Sequence, residues 1–282
     1  MANYIHLFEN NKEFNNSSKV SIPNVSFVEN LDLVSYNKYS NTMLLSKPLT
    51  FKFLSDGTFE IKRSSSSTQI YFSFRYTHKR GTEILSNNVS ASVVFTKEVL
   101  KNDEISITAS STPVFYDDYY GYIYFGGTAK CIMYGNFSSL FTSNYNGSNS
   151  WSLSTNCTSL FRGYDKLDID PNNFNFGRIS NITSTGIFRN CFMNCTSLTN
   201  FPILPFKTLP EHAYDNMFKG CKKLKKITAL FTTDISDTDL YTKGWLDGVS
   251  EKGTFIKSRN ATWENRGPNG IPENWNVGKY ID

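Results

Sequence analysis

The chain has 282 residues and a formal net charge of +4, with 39% hydrophobic, 15% aromatic and 19% charged residues. Such a composition can bury a core, which excludes a chain disordered throughout, and the length suits two modest domains or one domain and a repeat array. No stretch approaches the roughly 20 apolar residues of a bilayer-crossing helix, so no membrane span is expected.

Residues 1–40 differ in texture from the rest. Met1 to Phe14 shows neither a basic n-region nor an apolar h-region, so a secretory signal is not expected. Leu7, Phe8 and Phe14 are followed by Val25, Phe27 and Tyr36 in partial alternation. This reads as an extended docking arm with one or two strands. It has too few residues to form its own core, so a partner would order it.

Residues 41–132 read as a β domain. Leu49, Phe51 and Phe53 alternate with Thr50 and Lys52. Asp56-Gly57 predicts a hairpin turn into a strand with Phe59 and Ile61 on one side. The alternation resumes at Ile70, Phe72 and Phe74, and SASVVF, EISITAS and YYGYIYFGG add short strands. Turns at strand-scale spacing predict a small β-sandwich.

Residues 133–244 carry a recurring phrase: a turn residue, a small or aromatic residue, two polar residues and Leu. It begins at Asn136, Asn156, Gly163, Asn194 and Gly220. In the best pair Phe192 and Phe218 precede the turn residue, Cys195 and Cys221 follow it, and Leu198 and Leu224 close the phrase. Phe201 and Ile227 come three residues later, and the two phenylalanines are 218 − 192 = 26 residues apart. Asn and Gly enter left-handed backbone cheaply, Cys and Leu point inward, and each coil buries its apolar face only against a neighbour. The predicted fold is therefore β-rich: the arm, the small sandwich, a short irregular leucine-rich repeat solenoid (α+β), and a C-terminal cap over residues 245–282.

No residue cluster points to catalysis, so no enzyme is expected. His6, His78 and His212 lie in three regions away from any nucleophile motif. The odd number of cysteines, five, argues against a disulfide framework. Cys191, Cys195 and Cys221 lack a fourth ligand and metal-type spacing; stacked buried thiols explain them better, so no metal or other cofactor is expected. Asp234, Asp237 and Asp239 lack the spacing of a calcium loop and suit a capped turn. The basic run Lys219–Lys226 fits a solvated repeat edge, and no nucleic-acid partner is expected. The most suggestive surface stretch is Asp117, Asp118, Tyr119, Tyr120 and Tyr122. Tyrosines beside carboxylates suit sugar binding; a Tyr-rich edge strand or protein interface explains them as well.

The segment NCTSLTNFPILPFKTLPEHAYDNMFKGCKKLKKI, residues 194–227, resembles the BspA-like leucine-rich repeats of gut Bacteroidales and their phages. The matching positions are Cys195, Leu198, Pro202, Leu204-Pro205, Leu209, Ala213-Tyr214, Met217-Phe218, Gly220-Cys221 and Leu224. Trp245-Leu246, Gly253-Thr254-Phe255-Ile256, Gly270-Ile271-Pro272 and Trp275 resemble the terminal cap of that family. Leu7-Phe8-Glu9-Asn10, Glu13-Phe14 and Val25 to Asn37 resemble the opening of virion proteins of Bacteroides-infecting, crAss-like phages. The resemblance implies a structural virion protein, a head fibre or capsid decoration component made in the host cytoplasm and displayed on the virion surface. Its expected partners are capsid or tail proteins, bound through the arm, a second or third copy of itself, and a host-surface glycan or protein. A tail fibre or a bacterial cell-surface adhesin would use the same domains.

Overall fold

In the computed structural model, the described residues are 47–64, 72–89, 94–111, 113, 122–146, 149–236 and 238–280. The expected arm residues Leu7, Phe8, Phe14, Val25, Phe27 and Tyr36 lie outside them. The described chain is β-rich; its α-helix is confined to one turn, α1 (Thr238–Tyr241).

The first strands are β1 (Leu49–Phe53), β2 (Gly57–Arg63), β3 (Phe74–Arg80), β4 (Glu83–Val89), β5 (Phe95–Val99), β6 (Glu104–Ala109), β7 (Ile123–Gly126) and β8 (Cys131–Asn136). Strand β10 (Leu167–Asn175) follows β9 (Trp151–Leu153). A six-stranded sheet runs β10-β8-β1-β6-β3-β4, and a three-stranded sheet runs β5-β2-β7. The two sheets meet through alternating aromatic residues. Phe51 of β1 packs on Phe59 of β2 and Phe125 of β7 at 4.7 and 5.6 Å between ring centroids. Phe95 of β5 packs on Phe74 and Tyr76 of β3.

Asp56-Gly57 does not make the expected hairpin. β1 pairs with β6 and β8, whereas β2 pairs with β5 and β7, so the turn carries the chain from one sheet to the other. The reason is visible at Gly57: it has φ +151°, and a Cβ there would lie 2.7 Å from the Ala129 amide nitrogen. This turn is shaped by the chain pressed against it, not by a ladder between its flanks.

The boundary expected at 132/133 falls inside β8. That strand pairs antiparallel with β1 and parallel with β10, so one sheet spans both segments. Beyond it, four coils stack, centred near residues 160, 191, 217 and 245. Alternate amides bond along the stack. Phe161 donates to the Cys191 carbonyl at 2.8 Å, Phe192 to Met217 at 2.9 Å and Phe218 to Trp245 at 2.9 Å. The intervening amides close turns three residues back, as from Cys191 to Phe188 and from Met217 to Tyr214. The fourth coil stacks as the others do, and it spans the expected cap boundary at 244/245.

Every fourth residue of a coil is left-handed: Gly186, Asn190 and Asn194 in one, His212, Asn216 and Gly220 in the next. Asn and His tolerate this region better than most residues. Gly163, Asn194, Gly220 and Gly248 form one column, with φ between +62° and +75°. Its fit is tight, because a Cβ at Gly220 would sit 2.2 Å from Asn194 Oδ1. The phrases at Asn136 and Asn156 do not join this column. Asn136 has φ −94°, and both asparagines use Oδ1 to accept the amide two residues on, at Ser138 and Thr158, 3.0 Å each. The neighbouring residues do not decide between the two turns, since Asn-Cys-Thr-Ser-Leu at 156–160 takes the capped form and the same five residues at 194–198 the left-handed one.

After each coil the chain runs parallel to its predecessor. Asn200 bridges to Lys226, and β12 (Lys226–Ala229), β13 (Thr254–Ser258) and β14 (Asn276–Tyr280) form a parallel sheet. Earlier in the chain, β11 (Ile179–Ile182) pairs parallel with β9 in a separate two-stranded sheet. The core is continuous: rings of Phe125, Phe161, Phe192 and Phe218 follow one another at 5.1, 5.0 and 5.8 Å. A second column runs Phe137, Phe188, Tyr214, Trp245 at 6.3, 6.2 and 5.8 Å. Lys257 is buried in the last turns, its Nζ donating to the Trp263 carbonyl at 2.6 Å and to Glu264 Oε1 at 2.7 Å.

Candidate functional site

The outer face of the three-stranded sheet gathers the most recognition chemistry. Period-two alternation puts Ile123 and Phe125 of β7 inward, which turns Tyr122 and Tyr124 outward. Their rings lie 6.0 Å apart at 61°. Register places Lys62 opposite Tyr124 and Glu60 opposite Gly126. Lys62 and Glu60 form an ion pair, and the hydrogen bond that the Lys62 ammonium donates to the Glu60 carboxylate raises the Lys62 pKa. Gly126 has open space where a side chain would stand. Tyr122 is anchored by paired bonds with Ser64: its amide donates to Ser64 Oγ at 2.8 Å, and the Ser64 amide donates to its carbonyl at 2.9 Å.

Two half-exposed tyrosines beside a paired carboxylate and ammonium offer stacking surfaces, donors and acceptors together. Of the expected ligand surface, Tyr122 belongs here, while Asp117, Asp118, Tyr119 and Tyr120 lie outside the described residues. The sequence reading missed Tyr124, Glu60 and Lys62. The alternation of YIYFG was the available signal for Tyr124, but nothing local links β7 to β2, some sixty residues earlier.

The expected repeat-core residues are brought together. Phe192, Cys195, Leu198, Phe218, Cys221, Leu224, Ile227 and Phe201 are all buried. The Cys195 thiol donates to the Phe161 carbonyl at 3.1 Å and the Cys221 thiol to that of Phe192 at 3.0 Å, each reaching the previous coil. Burial pushes the Cys131 and Cys221 thiols up to about 12, and those of Cys157, Cys191 and Cys195 upward as well. Neutral thiols in such surroundings are unreactive. Among the described residues, no three His, Cys, Asp or Glu side chains gather where they could hold a metal.

The histidines sit apart, each hydrogen-bonded to a carboxylate, His78 with Asp103 and His212 with Asp215; His6 is outside the described residues. Asp234 Oδ1 accepts the Ser236 amide at 2.9 Å in a turn before α1; Asp237 lies outside the described residues. In the basic run, Lys219 pairs with Asp247 at 3.0 Å, and Lys222, Lys223 and Lys225 are exposed. No helix among the described residues is long and apolar enough to cross a membrane.

The Asp103 carboxylate is a buried clamp that sequence reasoning did not find. It accepts from Arg80 at 2.7 Å, His78 Nε2 at 2.8 Å and the Leu100 amide at 2.9 Å. Burial alone would raise its pKa, but the bonds from Arg80, Leu100 and His78 outweigh it and hold the group at about 2. The folded value lies below the unfolded one, so its contribution to stability is complete above about pH 4 and is lost as pH falls toward 2. Asp103→Asn is expected to melt lower than the parent at pH 7, with the gap closing between about pH 4 and 2. Parallel melts across that range check it; a constant gap would show that the charge is not what matters.

Compared with protein-family models, curated proteins and solved structures, the chain matches none of them.

Proposed function

We propose that this chain is a non-catalytic display protein of a bacteriophage virion, a head fibre or capsid decoration component. In this reading the facing sheets are a small sandwich, the stacked coils a leucine-rich repeat solenoid, and residues 1–40 the docking arm. One observation carries the display role: a single uninterrupted core joins the sheets to the coils through Phe125, Phe161 and Phe192. Whatever holds the two sheets therefore also fixes the direction of the coils. The tyrosine face of β7 supplies a contact surface for a host glycan or protein. The virion assignment itself rests on the resemblance of the N-terminal residues.

The experiment is removal of residues 1–40 in a phage that encodes the chain. The truncated protein is expected to melt as the full chain does and to be missing from purified particles by mass spectrometry. Incorporation at the parent's occupancy would place anchoring elsewhere, and particles lacking the intact protein would overturn the reading.

A further inference from the structure

Strand β4 is exposed at six of its seven positions, Glu83 to Asn88. The cause is an overhang. Phe95 of β5 lies on Phe74 and Tyr76 of β3, so the three-stranded sheet ends above β3. Among the described residues β4 pairs only with β3, in an unbroken register from Arg80↔Glu83 to Phe74↔Val89. Among those residues it thus has an open edge, and its side chains on both faces are exposed.

Solitary edges are ordinarily blunted by Lys, Pro or a bulge. β14 carries Lys279 and β5 carries Lys97, while β10 contains Pro171 and a register shift. β4 reads Glu-Ile-Leu-Ser-Asn-Asn-Val and has none of these. Ile84 and Leu85 are 64% and 59% exposed on opposite faces. Leu85 opens onto a groove of about 470 Å³ between β4 and β5, with Leu100 on its other wall.

We infer that this edge is an interface with a second copy of the chain, β4 pairing antiparallel with β4 about a twofold axis through Leu85. An edge without these protections offers its unpaired backbone groups to another strand, and the charges favour its own image. The groove is lined by two cations, Arg80 and Lys97, and two anions, Glu83 and Glu98, so it meets itself without net repulsion. Glu83 is the only charge on β4 and sits at one end. A twofold pairing sets the two Glu83 side chains apart and brings the two Leu85 side chains together. The six-stranded sheets join into one, as isologous interfaces require. This inference does not depend on the virion reading.

The test is sedimentation of the full chain, with Leu85→Lys, Ile84→Lys and Val277→Lys, the last on the edge strand β14. The parent and Val277→Lys are expected to sediment as dimers. Leu85→Lys and Ile84→Lys are expected to halve the mass while keeping the parent's near-ultraviolet circular dichroism, since both positions are exposed. A parent that stays monomeric at every attainable concentration would overturn the inference. So would a dimer that survives both β4 substitutions, or one that Val277→Lys dissociates.

Discussion

Leu224→Ala is expected to destabilise the chain by about 2–5 kcal/mol, the range for truncating a buried leucine. Lys222→Ala, two residues away, is expected to stay within about 0.5 kcal/mol of the parent. Leu224 is fully buried and Lys222 is exposed. The contrast arises from the coil's geometry. Cys221 bonds back to the Phe192 carbonyl and the Leu224 amide closes on Cys221, which turns residues 222 and 223 outward and Leu224 in. Leu198→Ala, at the matching position of the preceding coil, is expected to behave like Leu224→Ala. Denaturant unfolding of the three variants measures this; equal losses at Leu224 and Lys222 would refute the register of the coils.

Phe161→Ala is expected to cost about 3–5 kcal/mol and to affect both halves of the molecule together. Its ring is fully buried and packs near Phe51 of β1 at 6.4 Å, Phe125 of β7 at 5.1 Å and Phe192 of the next coil at 5.0 Å. The backbone couples at the same place, because the Phe125 amide donates to the Leu160 carbonyl at 2.7 Å. The shared six-stranded sheet adds a second connection. The parent is therefore expected to unfold in one transition. Tryptophan fluorescence follows the coils, since Trp151, Trp245, Trp263 and Trp275 all lie beyond β8, while far-ultraviolet circular dichroism follows all the strands. Noncoincident transitions in the parent would show that the two cores are separable.

The inward positions of individual elements were legible in the sequence. Leu49, Phe51 and Phe53 alternate in a strand, and alternation is a property of the backbone that needs no partner to be read. The 26-residue offset between Phe192 and Phe218 was legible for a related reason: stacked coils place like residues at like positions, so a repeating environment leaves a repeating sequence. The column through Gly163, Asn194 and Gly220 followed from the same logic, since few residues enter left-handed backbone at low cost. Asn136 and Asn156 repeat the letters but not the conformation, because an asparagine side chain can cap a turn as readily as its backbone can take a left-handed one.

Pairing between distant strands was decided only by the tertiary structure. Asp56-Gly57 has the local chemistry of a hairpin, yet its flanking strands find partners in different sheets, because burying Phe51 against Phe59 across the core requires the two strands to face each other. The Asp103 clamp unites residues 23 and 25 positions apart with the turn at Leu100, and the tyrosine face unites β2 with β7. The open edge of β4 is the sharpest case. Its sequence states what it lacks, a lysine, a proline or a bulge, but only the overhang beyond β5 leaves it uncovered. A sequence records the environment of each residue along its own element; which elements become neighbours is set by how their apolar faces are jointly buried.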